Sequence, residues 1–288
     1  MLLASNSRNA IRAQGAAGLA HDIPRRSLAD KALRYATQFW FSVVVLGQWI
    51  FAAYIVAVYG RSAAAGDFAK WNEILPHGWE AGNHLGNTVL ATHLMFAAAI
   101  TTAGAVQLIP SLRTGFPSLH RWIGRAYILS AFLMGGSGLY LSWSGRKVVG
   151  DASQHVAVEL SAFLILAFAT LALLRALQRQ FVAHRRWALR LFLVVNGGWF
   201  FRITLMFWMA VNQRAVGFDP DKFVGPFLTL ASFGEYLVPL ALLELYFRAQ
   251  RHGAARGKWA LAATFSLLTL ASAIGIFAAT QGLWWPRV

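Results

Sequence analysis

The sequence lacks cysteine altogether and contains few acidic residues. With no Cys among its 288 residues, disulfides and thiolate metal ligands are excluded, so any metal or cofactor must be held by His, carboxylate or backbone groups. Charged residues of either sign make up only 13% of the chain, whereas hydrophobic residues make up 57%. A surface that faces water needs more charge than this. The composition therefore predicts an integral membrane protein.

The charge that is present is mostly positive, with 26 Lys and Arg residues against 11 Asp and Glu residues. A basic protein can bind nucleic acid, but here the basic residues fall in short clusters between apolar runs rather than along one face or tail. We therefore predict no nucleic-acid partner and interpret the clusters as signals of membrane orientation. Membrane lipids are the predicted partners.

Seven apolar stretches are long enough to cross a bilayer, since a membrane-spanning helix needs about 20 apolar residues. We predict an all-α integral membrane protein in which a basic segment, residues 1–37, precedes a single transmembrane domain, residues 38–288. The predicted spans are residues 39–59, 88–109, 121–143, 155–174, 188–211, 226–247 and 259–281.

The distribution of Lys and Arg between alternate loops predicts the orientation of these spans. Most of the basic residues lie in the N-terminal segment and in the loops on the same side, and basic loops stay in the cytoplasm during insertion. The N-terminus is therefore predicted in the cytoplasm and the C-terminus in the periplasm, with the protein in the bacterial cytoplasmic (inner) membrane. The acidic residues Asp22 and Asp30 favour a cytoplasmic tail over a transit peptide.

Two segments of the chain share a pattern of His, Arg and Trp. Each has a His, an Arg twenty residues later, a His followed by Arg, a Trp, and another Arg three residues after the Trp. The first segment has His93, Arg113, His120, Trp122 and Arg125, and the second has His155, Arg175, His184, Trp187 and Arg190. The match is typical of an internal duplication, although His, Arg and Trp are also common at the cytoplasmic ends of membrane helices.

The repeat divides four histidines into two pairs. His93 and His155 are expected near the outer face, on spans two and four, and His120 and His184 near the inner face, on spans three and five. Spans two to five are predicted to form a four-helix core over residues 86–212. Paired imidazoles on alternate helices of such a unit are suited to the axial ligation of two b-type haems. For each His alone, a solvated residue at the membrane boundary is the alternative.

Arginines lie beside the inner pair and suit an anionic group. Charge-assisted hydrogen bonds from guanidinium groups would bind haem propionates, and they suit lipid phosphates equally. The arginines predicted to bind the cofactor in this way are Arg113, Arg121, Arg185 and Arg186.

Ionisable residues also fall inside the predicted spans, where they are rare and usually paired or functional. By depth, Glu159, Arg202 and Glu235 share the outer half of the bilayer. They are predicted to form either a structural Glu–Arg–Glu cluster or a proton path. Glu244 lies nearer the inside, where it is expected to be solvated or paired with Arg248.

The run around the first repeat resembles a known family. Its Gln107-Leu108-Ile109-Pro110 and Leu119-His120-Arg121-Trp122 motifs, and the later His184-Arg185-Arg186-Trp187, look like the bacterial predicted membrane proteins of domain of unknown function 2306. This family implies no activity. The layout of the four histidines separately resembles the two-haem, ascorbate-reducible cytochrome b proteins, which implies transmembrane electron transfer.

These observations lead to one expected function and two alternatives. The expectation is a membrane oxidoreductase that carries electrons through two b haems, with a quinol or another small reductant as donor. The first alternative is a proton-coupled transporter that uses Glu159, Arg202 and Glu235. The second is a non-catalytic accessory subunit of a membrane complex. The sequence predicts no oligomeric state.

Overall fold

The computed structural model describes residues 27–75, 77–144 and 150–288. Most of the predicted cytoplasmic segment, residues 1–26, lies outside the described residues. The described parts of the chain are helical, and no strand forms in them beyond an isolated bridge between Asp219 and Val224. The predicted all-α class is confirmed.

Nine α-helices of six residues or more lie in the described part of the chain, and a 3-10 helix, Phe68–Glu73, follows the first of them. They are α1 Leu28–Ile55, α2 His84–Gln107, α3 Pro110–Gly115, α4 Pro117–Trp143, α5 Ala152–Leu177, α6 Phe181–Val195, α7 Gly197–Asn212, α8 Pro226–His252 and α9 Ala255–Ala279. Helix α1 continues through Val56–Gly60 and Arg61–Ala64, and α9 continues through Thr280–Trp284 and Trp285–Arg287.

The starts of these helices follow from local sequence. Ser27 and Asp151 cap α1 and α5, and each forms a capping box with the residue three positions later, Asp30 or Gln154, which satisfies amide groups that the helix leaves free. Helices α3, α4 and α8 each begin with proline, whose missing amide hydrogen costs nothing at that position.

The apolar helices match most of the predicted spans. Within the described residues, five stretches are long and apolar enough to cross a membrane: 28–64, 84–107, 152–177, 226–252 and 255–287. Helices α6 and α7 together make a sixth, bent by 50°. Helix α4 has 27 residues but falls outside this set, so the count of seven stays a prediction. The chain is a multi-pass membrane protein.

The bent pair α6–α7 runs through the middle of the bundle. In α6, Phe192 packs between α1 and α2, since its ring lies 6.0 Å from that of Phe41 and faces Gly104. In α7, Trp199 lies against Gly47 of α1 and against α9. Helices α5 and α8 also pack on this pair. Side chains on α6 and α7 are therefore placed to contact most of the other helices.

The helices of the predicted four-helix unit lie beside one another, and Phe192 of α6 contacts Gly104 of α2. Helix α2 packs on α4, α4 on α5, and α5 on α6, whereas α7 turns away to pack on α9. The space between these helices is filled by side chains, including one from α8. The buried residues are Ile100, Tyr127, Ala131, Ile165, Ala169, Leu191, Val194 and Tyr236.

Candidate functional site

The break between α6 and α7 brings a carboxyl group against the start of a helix. Helix α6 ends at Val195, Asn196 intervenes, and α7 begins at Gly197. Glu235 of α8 approaches this point so closely that a methyl group on Gly197 would lie 2.9 Å from its Oε1 atom. The side chain of Glu235 therefore fills the space that a side chain at position 197 would take.

Arg202 lies one turn further along α7. Its Nη1 donates to the carbonyl of Gly198 at 2.6 Å, and its guanidinium lies 5.4 Å from the ring centre of Phe51. Arg202 is close enough to interact electrostatically with both Glu235 and His93. No ion pair within 4.0 Å joins Arg202 to Glu235 in the described part of the chain. The two groups are thus near each other without being bonded.

His93 of α2 is held by α4. Its Nδ1 lies 2.8 Å from Oγ of Ser137, and that hydroxyl donates to the carbonyl of Leu133. In the tautomer in which Nδ1 of His93 donates to Oγ of Ser137, Nε2 carries no hydrogen. Nε2 can therefore accept a proton or bind a metal. We call His93, Gly197, Arg202 and Glu235 the break site.

Several buried polar groups lie on the helices around the break site. The side-chain amide of Gln48, Oδ1 of Asn196, Nε1 of Trp199 and the hydroxyl of Tyr236 have no hydrogen-bond partner among the described residues. All four residues are at most 2% exposed. Buried polar groups are normally hydrogen-bonded, and unpaired ones concentrate at functional sites. These groups are donors and acceptors for which the described residues supply no hydrogen bond.

The third member of the predicted charge cluster lies elsewhere. Oε1 of Glu159 accepts hydrogen bonds from Oγ of Ser142 and Nε1 of Trp143, both at 3.0 Å. These partners are on α4, so Glu159 joins α4 to α5. Among the described residues it forms no ion pair with Arg202. The structure thus brings Arg202 and Glu235 together and leaves Glu159 apart.

Glu244 pairs with a residue that the sequence did not indicate. The expected partner was Arg248 or solvent, but Nε of Arg190 donates to Oε1 of Glu244 at 2.8 Å. Both side chains are partly buried, at 18% and 41% exposure. The packing of α8 on α6 brings these groups together, and this tertiary contact replaces the expected contact along one helix.

The two outer histidines lie at different depths. His93 is level with Ser137 of α4, and Glu159 of α5 is bonded to residues five and six positions further along α4. His155 precedes Glu159 by four residues on an antiparallel helix. The five or six residues along α4 and the four residues along α5 add in the same direction. At 1.5 Å per residue, they separate His93 from His155 by about 14 Å along the helix axes. His93 and His155 therefore do not lie on opposite sides of one iron atom in this structure.

The inner histidines are nearer to each other. Nδ1 of His184 donates to the carbonyl of Ala172 at 2.8 Å, the type of contact that orients a metal-binding imidazole. Nδ1 of His120 is buried without a partner in the described chain. Burial lowers the pKa of His120, and the neighbouring charges of His184 and Arg113 lower it further. Within the described residues, no group of three or more His, Asp or Glu side chains is arranged to hold a metal ion.

The arginines predicted to bind propionates do not converge on one point. Arg121 is exposed on α4. Arg113, on α3, is close enough to His120 for its charge to lower the pKa of that imidazole. The Arg186 guanidinium lies 5.8 Å from the ring centre of Phe247 on α8, and Arg185 is near enough to Tyr246, also on α8, to interact with it electrostatically.

The interior between α2, α4, α5 and α6 leaves little room for a haem. A methyl group on Gly104 would lie 3.0 Å from both Phe192 and Tyr127, and one on Gly135 would lie 2.8 Å from Leu166. Close packing of this kind cannot accept a porphyrin without moving the helices. Because the outer pair is also offset, the histidines in this arrangement do not fit two axially ligated haems.

The two repeated segments form the same local contact. The guanidinium of Arg125 lies 4.7 Å from the ring centre of Trp122, and that of Arg190 lies 4.6 Å from Trp187. These are cation–π contacts at equivalent positions of the pattern. They give the shared Trp-x-x-Arg spacing a structural role, while the duplication itself stays a prediction.

The comparison with known families covers the middle of the chain. Residues 90–220 match the family of predicted membrane proteins DUF2306. The match confirms the resemblance found in the sequence. No curated protein and no solved structure matches the chain. The DUF2306 segment includes His93, Gly197 and Arg202 of the break site, whereas Glu235 lies beyond it.

Sequence reasoning missed the break itself. Residues 188–211 were expected to form one continuous span, and the structure divides them between α6 and α7. The signal was present in Asn196-Gly197-Gly198, because Asn and Gly are poor helix formers in a helix interior. No sequence pattern indicated that Ser137 would orient the ring of His93.

Proposed function

We propose that this protein is a proton-coupled membrane transporter of small anions, with the break site as its binding centre. The observation that carries the proposal is the placement of Glu235 against the first residue of α7, within electrostatic reach of Arg202 but not bonded to it. Ionisable groups inside a membrane bundle usually mark a substrate or proton pathway.

The broken helix supports this assignment. Transporters commonly bind solutes where a membrane helix is interrupted, because the free backbone groups and the helix dipole at the break interact with ions. Here the interrupted helix is central, and α7 begins beside Glu235. Arg202 adds a guanidinium, which favours carboxylate and phosphate groups.

Two side chains of the break site can carry a proton. Glu235 can bind one on its carboxyl group, and His93 can bind one on Nε2, since Nδ1 is held by Ser137. Both interact with the fixed charge of Arg202. An anion bound at Arg202 would reduce the effect of that charge and favour proton uptake by Glu235 and His93. This coupling is the proposed mechanism.

The experiment uses the purified protein in liposomes with a trapped pH-sensitive dye, and succinate and inorganic phosphate as probes. An inward solute gradient should acidify the interior of protein-containing liposomes faster than that of empty ones. Arg202→Gln should remove the response. Equal rates with and without protein, for every solute tested, would contradict the proposal.

Electron transfer through two b haems is the second candidate function, and it would require the helices to move apart from the close packing described above. It is favoured by the anchored rings of His93 and His184, whose Nε2 atoms are left free for ligation. The transporter proposal expects a reduced-minus-oxidised spectrum without a Soret band. A Soret band that falls by roughly half in each of His93→Ala and His184→Ala would favour electron transfer instead.

For the orientation, we propose an N-terminus in the cytoplasm and a C-terminus in the periplasm of a bacterial inner membrane. The support is the excess of Lys and Arg in the loops on the side of the N-terminus. A reporter enzyme that folds only in the periplasm should be active when fused after Val288 and inactive when fused after His252 or Leu177. Activity in the reverse pattern would overturn the orientation.

A further inference from the structure

An open groove lies at the end of α6 remote from the break. It has a volume of about 680 Å³ and is formed by the turn before α6 and the first half of that helix. The groove is lined by Arg179, Gln180, Phe181, Val182, Ala183, Arg186, Trp187 and Arg190. Arg186 and Asn196 are ten residues apart, which is about 15 Å along a helix. The groove is thus separate from the break site.

Two of its three guanidinium groups form no ion pair with any of the described residues. Arg190 is bound to Glu244. In the described chain, Arg179 and Arg186 form no ion pair, and Arg186 faces the ring of Phe247 instead. The groove therefore carries an uncompensated positive charge. A phosphate group accepts hydrogen bonds from such a pair of guanidinium groups and balances their charge.

The same groove also exposes apolar surface. The side chains of Phe181 and Val182 are 68% and 73% exposed. Trp187 lines the groove beside them, and tryptophan is typical of the boundary between lipid tails and headgroups. A free anion would make no contact with these apolar side chains. A molecule with a phosphate and a hydrocarbon chain would contact both kinds of surface.

We propose that this groove binds the headgroup of an anionic phospholipid, with phosphate at Arg179 and Arg186 and an acyl chain along Phe181 and Val182. The charge of the groove fits the anionic lipids that attract basic segments to a membrane surface. The site is independent of the transport proposal. It depends on the groove alone and holds for any function of the break site.

The test measures lipid binding to the full-length protein in detergent by native mass spectrometry. Phosphatidylglycerol and phosphatidylcholine with matched chains are compared, and inorganic phosphate is the probe for a free anion. In the double variant Arg179→Gln/Arg186→Gln, affinity for phosphatidylglycerol should fall by roughly fivefold for each arginine. Binding of phosphatidylcholine, in which the choline cation already balances the phosphate charge, should be weaker in the wild type and should fall less in this variant.

Matched variants separate the groove from general effects of charge and folding. Arg248→Gln/Arg251→Gln removes two arginines from α8 outside the groove and should retain phosphatidylglycerol binding within about twofold. Arg179→Lys/Arg186→Lys, which keeps the charge, should retain most of it. Phe181→Ala/Val182→Ala should weaken lipid binding and leave phosphate binding unchanged.

Three results would overturn the proposal. The first is equal phosphatidylglycerol affinity in the wild type and in the Arg179→Gln/Arg186→Gln variant. The second is equal affinity of the wild type for phosphatidylcholine. The third is displacement of phosphatidylglycerol by inorganic phosphate at equal concentration, which would identify a free-anion site.

Discussion

Replacing Glu235 by Gln is expected to slow solute-driven proton uptake in liposomes by at least about tenfold, since loss of one proton-transferring group has effects of this size or larger. Glutamine has nearly the same shape as glutamate, so the packing of α8 against Gly197 should survive. It cannot bind and release a proton near neutral pH. The measurement is the initial rate of acidification reported by the trapped dye after addition of succinate or phosphate.

Glu159→Gln is the matched control for this prediction. It is the same substitution of another carboxyl group in a predicted span, but Glu159 is bonded to Ser142 and Trp143 on α4, away from the break. Its transport rate should stay within about twofold of the wild type, because the amide oxygen of glutamine can still accept the hydrogen bonds from Ser142 and Trp143. If Glu159→Gln abolished proton uptake and Glu235→Gln did not, the break site would be excluded as the coupling centre.

Replacing Gly275 by Ala is expected to destabilise the bundle by about 1–3 kcal/mol, the usual cost of overpacking a core. A methyl group at Gly275 of α9 would overlap the carbonyl oxygen of Ile203 and would lie 2.6 Å from its Cγ2 atom. The backbone of α7 would have to move away from α9. Since Ile203 follows Arg202 directly, the movement should also disturb the break site. A lower midpoint of thermal unfolding in detergent is the expected result.

The control for Gly275 is another glycine of the same helix. A methyl group at Gly257 would meet no atom within 4 Å. Gly257→Ala should therefore leave the unfolding midpoint unchanged or raise it slightly, because alanine is the better helix former. Equal destabilisation by both substitutions would show that contact between α7 and α9 is not the cause.

The helices could be predicted largely from hydropathy, because every backbone group in lipid must be hydrogen-bonded within its own helix. Four of the predicted spans lie within long apolar stretches of the structure, and a fifth, 88–109, extends two residues beyond its stretch. A sixth span is bent. The bend at Asn196 was not predicted. An apolar run of the right length is equally compatible with a straight helix and with two short ones, and the difference depends on how α8 and α9 pack against it.

The candidate site could be predicted only in part, since sequence position gives the depth of a residue in the membrane but not its direction around the helix. Arg202 and Glu235 share both depth and direction, and the structure brings them together. Glu159 has a similar expected depth, but its side chain reaches α4. Small errors in depth also accumulate across helices, as the offset between His93 and His155 demonstrates.

The most direct test of the account is an infrared difference spectrum of the membrane-reconstituted protein between acidic and alkaline pH. If Glu235 carries the proton, a carboxyl C=O band should appear on acidification and should shift when succinate or phosphate is added. The band should be lost in Glu235→Gln and persist in Glu159→Gln. A spectrum in which Glu235→Gln leaves every titrating carboxyl band unchanged would contradict the assignment of Glu235 as the proton-carrying group.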